Sequence, residues 1–344
     1  MISKRVALSA ALASALILAG CGGGEPAATE STEPQPTEAQ VTQDVTLGLT
    51  YIPNVQFSPS YVAADEGFFE REGASVTIRH HGADEGLFTA LLAGEEDMVI
   101  ATGDEMLIAR SQGMDLISVG QYYAKYPVSV IVKADSDIQS IEDLKGRKVG
   151  LPGEFGSNWY GLLSTLDSYG MSVSDIEVVS IGFTQLPALM SGEVDAVVGF
   201  TNNDMVQFSL AGVEARELQM AKEGELPLIG ANVVTTSKFA GENPEAVKAV
   251  LAGLRAGKQF AVDEVDRTIE ITKNYDPNLS AADAQEAAKA ILTATNELFQ
   301  VDGVVTMEQN LDTWAAMNEF LASQPDLLAS EVNIAEAVTN DYVK

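Results

Sequence analysis

The chain has 344 residues, of which 50 are Asp or Glu and 20 are Lys or Arg, giving a formal net charge of −30. A protein with this charge is repelled by phosphate backbones and anionic lipids, so we expect neither nucleic acid nor an anionic membrane surface as a partner. Single cores rarely grow past about 250 residues, so this length predicts two lobes.

The first 20 residues have the pattern of an export signal. Lys4 and Arg5 precede an apolar run from Val6 to Leu18. As a helix this run would be about 20 Å long, which is shorter than the ~30 Å hydrocarbon core of a membrane. We therefore predict a signal peptide over residues 1–20, and its removal would make the net charge −32 because Lys4 and Arg5 are lost.

The only cysteine of the chain and a polar stretch follow this segment. Leu18-Ala19-Gly20 precedes Cys21 and resembles the bacterial lipobox, in which the cysteine becomes the lipidated first residue. An ordinary secretory signal with an incidental cysteine is the alternative. One cysteine cannot form an intramolecular disulfide. Residues 21–44 are rich in Pro, Thr and Glu and poor in large apolar side chains, which predicts a disordered tether behind the lipid anchor.

A repeated segment indicates that the two lobes have similar construction. Leu91–Ile100 recurs 98 residues later as Leu189–Val198, and each copy ends a helix at a glycine and turns through acidic residues into a strand. A chance match between two common junctions is the alternative. Strands alternate with helices, which predicts the α/β class with mainly parallel sheets. The predicted strands are Val45–Leu49, Ser75–His80, Met98–Ala101, Ile117–Gln121 and Ser129–Val132 in the first lobe, and Lys148–Leu151, Glu177–Ile181, Ala196–Phe200 and Val233–Thr236 in the second.

The C-terminal third has helical periodicity. Asn243-Pro244 predicts a helix start, and Thr306-Met307-Glu308-Gln309 predicts a capping box before the last long helix. We expect these helices to pack on the first lobe. Lobe 1 then comprises 45–133 plus 237–344, and lobe 2 comprises 134–236. The two crossings between them predict a hinge that closes over a cleft.

Several motifs resemble one family. They are Tyr51-Ile52-Pro53-Asn54, Ser58-Pro59-Ser60-Tyr61-Val62-Ala63, Glu66-Gly67-Phe68-Phe69, Ile141-Glu142-Asp143-Leu144-Lys145-Gly146, and Gly182-Phe183 with Asp195-Ala196-Val197. These motifs look like those of ABC-importer substrate-binding proteins, in the thiamine pyrimidine synthase-like branch that includes receptors for thiamine-pyrimidine precursors, sulfonates and riboflavin. The resemblance implies a two-lobed periplasmic-binding-protein type 2 fold, a monomeric extracytoplasmic lipoprotein, and an ABC permease and ATPase as partners. It implies no catalytic residue, cofactor or metal.

The ligand site is expected beyond the carboxyl ends of the strands, where doubly wound lobes bind their ligands. In lobe 1 this selects Tyr51, Asn54, Phe57, Asp104, Glu105 and Tyr123. In lobe 2 it selects Glu154, Phe155, Trp159, Tyr160, Phe183, Asn202, Asn203, Asp204 and Gln207. The alternative for Trp159 is a place in the core, and the alternative for the run from Asn202 to Asp204 is a simple turn.

The chemistry of this set favours a flat ligand that is neutral or cationic. Aromatic rings stack on heterocycles, while amides and carboxylates bind ring nitrogens and amino groups. A sulfonate receptor would place Ser, Thr or Arg at the helix N-terminus of the second lobe, where we expect Glu154. A thiamine-type pyrimidine and riboflavin both fit these features.

Two other functions are alternatives. Some relatives synthesise the thiamine pyrimidine and, by resemblance, use pyridoxal phosphate on a lysine, a donor histidine and a cysteine-rich iron site. This chain has only His80 and His81, which are adjacent on a strand and so face opposite sides, and no cysteine beyond Cys21. We therefore expect a binding protein and not an enzyme. The second alternative is a sensor, or a lipoprotein that binds another solute such as a sulfonate or a nitrate-like anion.

Overall fold

The computed structural model describes residues 42–82 and 85–343, so the predicted signal peptide, Cys21 and most of the tether lie outside the described residues. The strands are Gln43–Leu49 (β1), Ala74–His80 (β2), Met98–Thr102 (β3), Ile117–Gln121 (β4), Val128–Lys133 (β5), Lys148–Leu151 (β6), Glu177–Ser180 (β7), Ala196–Phe200 (β8), Ala215–Glu217 (β9), Ala231–Thr235 (β10), Gln300–Val301 (β11) and Val304–Val305 (β12). The helices are Ser58–Asp65 (α1), Phe68–Glu72 (α2), Thr89–Ala93 (α3), Gly103–Ser111 (α4), Gly156–Ser168 (α5), Gln185–Ser191 (α6), Val206–Leu210 (α7), Ser237–Glu242 (α8), Pro244–Asp263 (α9), Val265–Thr272 (α10), Ala282–Asn296 (α11), Leu311–Ser323 (α12) and Ile334–Ala337 (α13). None of the helices in these ranges has the length and apolar character needed to cross a membrane.

The two large sheets have matching topology. Their strand orders are β2-β1-β3-β10-β4 and β7-β6-β8-β5-β9. In the first sheet β1 is parallel to β2 and β3, whereas β10 is antiparallel to β3 and β4. In the second sheet β6 is parallel to β7 and β8, whereas β5 is antiparallel to β8 and β9. One strand in each sheet runs against the others, which confirms the predicted α/β class with mainly parallel sheets.

Two strands lie in the opposite sheet from the one predicted. The sequence assigns Ser129–Val132 to the first lobe and Val233–Thr236 to the second, but β5 belongs to the second sheet and β10 to the first. The predicted lobe boundaries at 133/134 and 236/237 are therefore displaced, because the chain changes sheet within 122–127 and again within 218–230. Both strands are buried apolar runs, and such runs do not reveal which sheet they join. The predicted tether also ends earlier than residue 44, since β1 begins at Gln43.

The repeated segment has the same structure in both lobes. Helices α3 and α6 both end at a glycine with positive φ, 74° and 75° respectively. In lobe 1, Asp97 Oδ2 accepts a hydrogen bond from the Thr46 amide at 2.8 Å. In lobe 2, Asp195 Oδ2 accepts one from the Lys148 amide at 2.9 Å. The same acidic turn thus ties the junction to the equivalent strand of each sheet, β1 and β6, and the prediction of similar construction is confirmed.

The C-terminal helices pack on lobe 1, as predicted. Helix α9 buries Val247, Val250 and Leu254 in the core that also contains β1 and β3. It approaches α1 so closely that a β-carbon at Gly257 would overlap the Pro59 carbonyl. Glycine is therefore required where these two helices meet.

Candidate functional site

The loop after β1 forms the first part of the expected site. The Asn54 side chain accepts a hydrogen bond from the Gln56 amide at 3.0 Å and so caps the short helix that follows. Phe57 is partly buried against the lobe 1 core, with its ring edge-on to His80 at 6.1 Å between ring centres. Tyr51 keeps 45% of its surface exposed. Tyr51 is therefore an exposed aromatic residue of this loop, and the neighbouring Ile52 is exposed to the same extent.

The two adjacent histidines face opposite sides, as predicted. His80 Nδ1 lies 3.0 Å from the Tyr51 carbonyl, and His80 Nε2 lies 3.1 Å from the Tyr61 hydroxyl. A carbonyl only accepts, so Nδ1 carries the proton and Nε2 accepts from Tyr61. Burial lowers the pKa of His80, which favours this neutral form. His81 instead lies 2.9 Å from the buried Glu96.

A pair of acidic residues lies in the first turn of α4, at the carboxyl end of β3. Asp104 is fully buried, and burial raises the pKa of its carboxyl. Burial, with a smaller effect from the neighbouring acid Asp104, raises the pKa of Glu105 to about 7. The Thr102 hydroxyl donates to Glu105 Oε2 at 2.7 Å. The other oxygen, Oε1, is directed at the second lobe, because a β-carbon at Gly156 would lie 3.8 Å from it.

Asp104 connects the two lobes. The hydroxyls of Ser157, in the first turn of α5, and of Tyr126, in the crossing between β4 and β5, each lie 3.1 Å from Asp104 Oδ2. The Tyr126 hydroxyl also lies 2.7 Å from the Ser157 carbonyl, which can only accept. Tyr126 has one proton and donates it to this closer carbonyl, so it forms a hydrogen bond with Asp104 only when the carboxyl is protonated and donates. The raised pKa of Asp104 agrees with this neutral form.

Aromatic side chains cluster at the start of α5 and after β7. Phe155 and Phe183 expose 59% and 74% of their surface. Gly156 has a φ of 67°, a conformation that suits glycine and lets the chain turn into the helix. Trp159 is partly buried against the lobe 2 core. Burial, with smaller effects from the two acids of α4, raises the pKa of Tyr160 to about 12. The two phenylalanines thus expose most of their rings, whereas Trp159 belongs partly to the core.

The sequence predicts Glu154 at the N-terminus of α5, and this prediction is wrong. It is exposed and lies two residues before the helix, while Ser157 occupies the first turn. The loop after β6 is thus longer than the sequence pattern suggests. A hydroxyl of the kind that anion receptors use is present, but it is bonded to the carboxyl of Asp104 from the other lobe. The Ser157 hydroxyl is thus already engaged by Asp104, and Glu154 does not lie where it could repel an anion from the helix N-terminus.

The polar residues after β8 form a turn of π-helix at Thr201–Met205. Asp204 turns back on the chain, and its Oδ2 accepts a hydrogen bond from the Phe200 amide at 2.6 Å. Burial raises the pKa of Asp204. Asn203 is half-buried, and Gln207 is exposed on α7. This stretch is compact, and Asp204 is used to stabilise its turn.

Asn202 makes a second contact between the lobes. It is only 1% exposed, and its Nδ2 lies 2.9 Å from the Thr295 hydroxyl of α11. Thr295 donates its proton to the Ile291 carbonyl at 2.8 Å, so it accepts from Asn202 and fixes the orientation of the amide. Burial raises the pKa of Tyr123, and the neighbouring Asn202 side chain partly offsets this. Asn202 and Tyr123 therefore meet in a buried seam and not on an open cleft wall.

Comparison with known proteins identifies the family. The family model described as NMT1/THI5 like matches residues 54–267, which is more than half of the chain. The chain belongs to the NMT1/THI5-like family. This confirms the resemblance seen in the sequence motifs.

Proteins similar to this NMT1/THI5-like chain include binding proteins and a synthase. The riboflavin-binding protein RibY of Chloroflexus aurantiacus is 31% identical over 324 residues, which cover 92% of this chain and 91% of that protein. A 4-amino-5-hydroxymethyl-2-methylpyrimidine phosphate synthase of Schizosaccharomyces pombe is 25% identical over 227 residues, covering 63% and 64%. The solved structure of the periplasmic aliphatic sulphonate binding protein SsuA from Escherichia coli has a TM-score of 0.68 at 18% identity, covering 86% and 97%. That likeness confirms the periplasmic-binding-protein fold.

One buried residue near the site of this NMT1/THI5-like chain, Lys258, is not among the residues predicted from the sequence. Lys258 of α9 is fully buried, and burial lowers its pKa to about 7. The signal that could reveal it is a charged residue on the apolar stripe of the helix, seven positions after Leu251. The Lys258 ammonium donates to three backbone carbonyls, those of Gln121 and Tyr122 at 3.2 Å and that of Thr306 at 2.7 Å.

In the described ranges, 42–82 and 85–343, no group of three or more His, Cys, Asp or Glu could hold a metal ion.

Proposed function

We propose that this chain is a solute-binding protein that holds a flat nitrogen heterocycle between its two lobes, with riboflavin as the first candidate. The observation that carries the proposal is the similarity to RibY, which extends over 92% of the chain and so includes both lobes. A thiamine-pyrimidine precursor is the second candidate ligand, because synthases of that pyrimidine are also relatives.

The geometry supports a neutral or cationic ring. Tyr51 in lobe 1 and Phe155 in lobe 2 expose aromatic surface at the carboxyl ends of their strands. Each stacking contact with a heterocycle contributes about 0.5 to 1.5 kcal/mol. The net charge of −30 would disfavour a bound anion.

We also propose that the protein works outside the cytoplasm as a lipid-anchored monomer that delivers its ligand to an ABC permease and ATPase. The supports are the lipobox-like sequence before Cys21, the polar stretch behind it, and the family resemblance. A sensor without an importer would need the same body and the same anchor. A permease gene and an ATPase gene beside the coding sequence would favour import.

Calorimetry on the purified two-lobed protein with riboflavin, thiamine-pyrimidine precursors and taurine tests which ligand it binds. We expect a heterocycle to bind near micromolar, which corresponds to about −8 kcal/mol. Phe155→Ala should weaken binding by about 0.5 to 1.5 kcal/mol, because it removes one exposed stacking ring. Leu210→Ala removes another exposed apolar side chain, on α7, and serves as the control. Tight taurine binding without a response to either heterocycle would overturn the proposal.

Closure of the cleft has its own measurement. If the chain is a hinged receptor, small-angle scattering should show a smaller radius of gyration when the heterocycle is bound. The rearrangement would take place in the crossings at 122–127 and 218–230. An unchanged profile at saturation would indicate a rigid binding module.

A pyrimidine synthase is the second candidate function, since relatives with that name cover 60% or more of the chain. The two histidines are engaged in the structure, His80 with Tyr51 and Tyr61, and His81 with Glu96. Incubation with pyridoxal phosphate and ferrous iron in air, followed by mass spectrometry for an aminopyrimidine product, tests this function. Product formed in proportion to protein would favour the synthase over the receptor.

A further inference from the structure

Glu105 has one carboxyl oxygen engaged and one available. Oε2 accepts the Thr102 hydroxyl at 2.7 Å. Within the part of the chain that the structure describes, Oε1 accepts no hydrogen bond, and it is directed at Gly156 across the gap between the lobes. The side chain is partly exposed, so a ligand in that gap can reach it.

The available oxygen has no structural role as a helix cap. Thr102 and Glu105 have the spacing of a capping box, in which the glutamate would accept from the backbone of the threonine. Here α4 has no side-chain cap, and the threonine hydroxyl donates to the glutamate instead. Helix formation therefore does not explain why Oε1 faces the other lobe.

The groups around Glu105 favour its neutral form. On its own helix Asp104 is the neighbouring acid, Tyr126 approaches from the crossing, and Ser157 and Tyr160 approach from α5. None of these groups is a cation. Burial is the main cause that raises the pKa of Glu105 to about 7, and the neighbouring acid Asp104 adds to it because both carboxyls cannot readily ionise together.

We propose that Glu105 recognises the heterocycle while its own side chain is a protonated carboxylic acid. In this form it donates a hydrogen bond from Oε1 to a carbonyl oxygen or ring nitrogen of the ligand. This inference rests on the proposed function, and it names the polar edge of the ligand that the site selects. A carboxylate only accepts hydrogen bonds, whereas a neutral carboxyl can donate one. A carboxyl kept neutral by an apolar site is a known way to obtain such a donor at neutral pH. Ring carbonyls of riboflavin and ring nitrogens of an aminopyrimidine are suitable acceptors.

The test is the pH dependence of riboflavin affinity, measured by calorimetry between about pH 5.5 and about pH 8.5 on three proteins. For the unaltered protein we expect the dissociation constant to rise above neutral pH, approaching about tenfold per pH unit. Glu105→Gln should bind about as tightly as the unaltered protein at low pH and lose this rise, because its amide donates at every pH. Glu95→Gln, in an exposed turn after α3, should behave like the unaltered protein.

The outcomes separate this inference from the proposed function. If the unaltered protein and Glu105→Gln bind riboflavin with the same pH dependence, the inference is wrong and the receptor function stands. If riboflavin does not bind, the same series with an aminopyrimidine precursor decides the matter in the same way. If neither ligand binds the unaltered protein, both proposals fall. A purely structural role for Glu105 would lower the unfolding temperature of Glu105→Gln without altering the pH slope of its affinity.

Discussion

The Ser157 hydroxyl of α5 lies 3.1 Å from Asp104 Oδ2 of α4, and this hydrogen bond joins the two lobes. A second polar contact, from Asn202 to Thr295 of α11, joins them at another place. Each contact pairs a residue near the carboxyl end of a strand with a helix of the other lobe. The two lobes thus meet through specific polar contacts, which the proposed hinge motion would have to break.

Asp104→Asn should preserve these contacts and change the pH dependence of stability. Burial raises the pKa of Asp104, so above about pH 4 the unfolded chain loses this proton while the folded chain retains it. Folding is then stabilised at low pH, and the stabilisation is lost as the pH rises towards the folded-state pKa. Asn cannot titrate, so its variant should lose less stability between about pH 4 and pH 7. Urea unfolding at both ends of this range checks the slope, with the exposed Asp341→Asn as control. Equal slopes in all three proteins would show that Asp104 is ionised in the folded state.

Lys258→Met should remove a rise of stability at alkaline pH. Burial lowers the pKa of Lys258 to about 7, so above that value the unfolded chain binds more protons than the folded chain. The free energy of unfolding therefore increases with pH from about 7 until the ordinary lysine pKa of about 10.4 is reached. Met cannot titrate, so its variant should lack this increase.

The same Lys258→Met change also leaves backbone carbonyls without their donor, at a cost of about 1 to 3 kcal/mol for a buried group. Lys248→Met on the same helix removes an exposed ion pair with Glu245 and should change stability by less than about 1 kcal/mol. Thermal unfolding at about pH 7 and about pH 9 compares the three proteins. An alkaline rise of equal size in Lys258→Met would mean that another group causes it.

Two glycines at equivalent strand positions should respond differently to substitution. A β-carbon at Gly48 of β1 would overlap the buried carboxylate of Glu96, which is held by Arg79 at 2.7 Å. At Gly150 of β6 the closest atom is a methyl carbon of Ile181, at 2.9 Å. We expect Gly48→Ala to destabilise by about 3 to 5 kcal/mol, as breaking a buried ion pair does. Gly150→Ala should cost about 1 to 3 kcal/mol, as overpacking does. Denaturant midpoints rank the two, and the reverse order would contradict the role given to Glu96.

Cys21→Ser should release the protein from the membrane fraction. The change removes the only thiol that could carry a lipid, and the remaining polar stretch has no apolar surface with which to bind a bilayer. Cell fractionation followed by immunoblotting measures the distribution. Ser31→Ala, ten residues further along the stretch, should stay with the membranes. A variant without the cysteine that still sediments with membranes would refute lipid anchoring.

The sequence predicts β1 to β8 and β10 because their apolar pattern is local, and it misses the short strands β9, β11 and β12, which have two or three residues each. The ten-residue repeat also identifies the equivalent positions of β3 and β8 correctly. Sheet membership of β5 and β10 could not be predicted in this way, because strand pairing is decided by contacts between residues far apart in the chain. Helix caps show the same limit. Thr306–Gln309 has the spacing of a capping box, but Asn310 caps α12 by accepting from the Asp312 amide at 3.1 Å.

The candidate site was predicted in part. Asp104 and Glu105 could be selected because they follow a buried strand, but their connection to Ser157 required the arrangement of the lobes. The same grounds predict Asn202 as a ligand contact, whereas its side chain is buried against Thr295. A serine in a first helical turn and a threonine on a buried helix face are common features, and neither has a sequence pattern that distinguishes it. Whether the exposed rings of the site bind a heterocycle stays a prediction.

The exchange of β5 and β10 also sets the order in which the lobes can be completed. All five strands of the second sheet come from one continuous stretch, 128–217, and its first and last strands pair with each other, with Ile131 opposite Glu217. The first sheet needs β10, which lies between β3 and β4. During synthesis the chain emerges from its N-terminus, so the position between β3 and β4 in the first sheet stays vacant until residue 235 has been made. Lobe 1, whose strands are made first, is therefore completed after lobe 2.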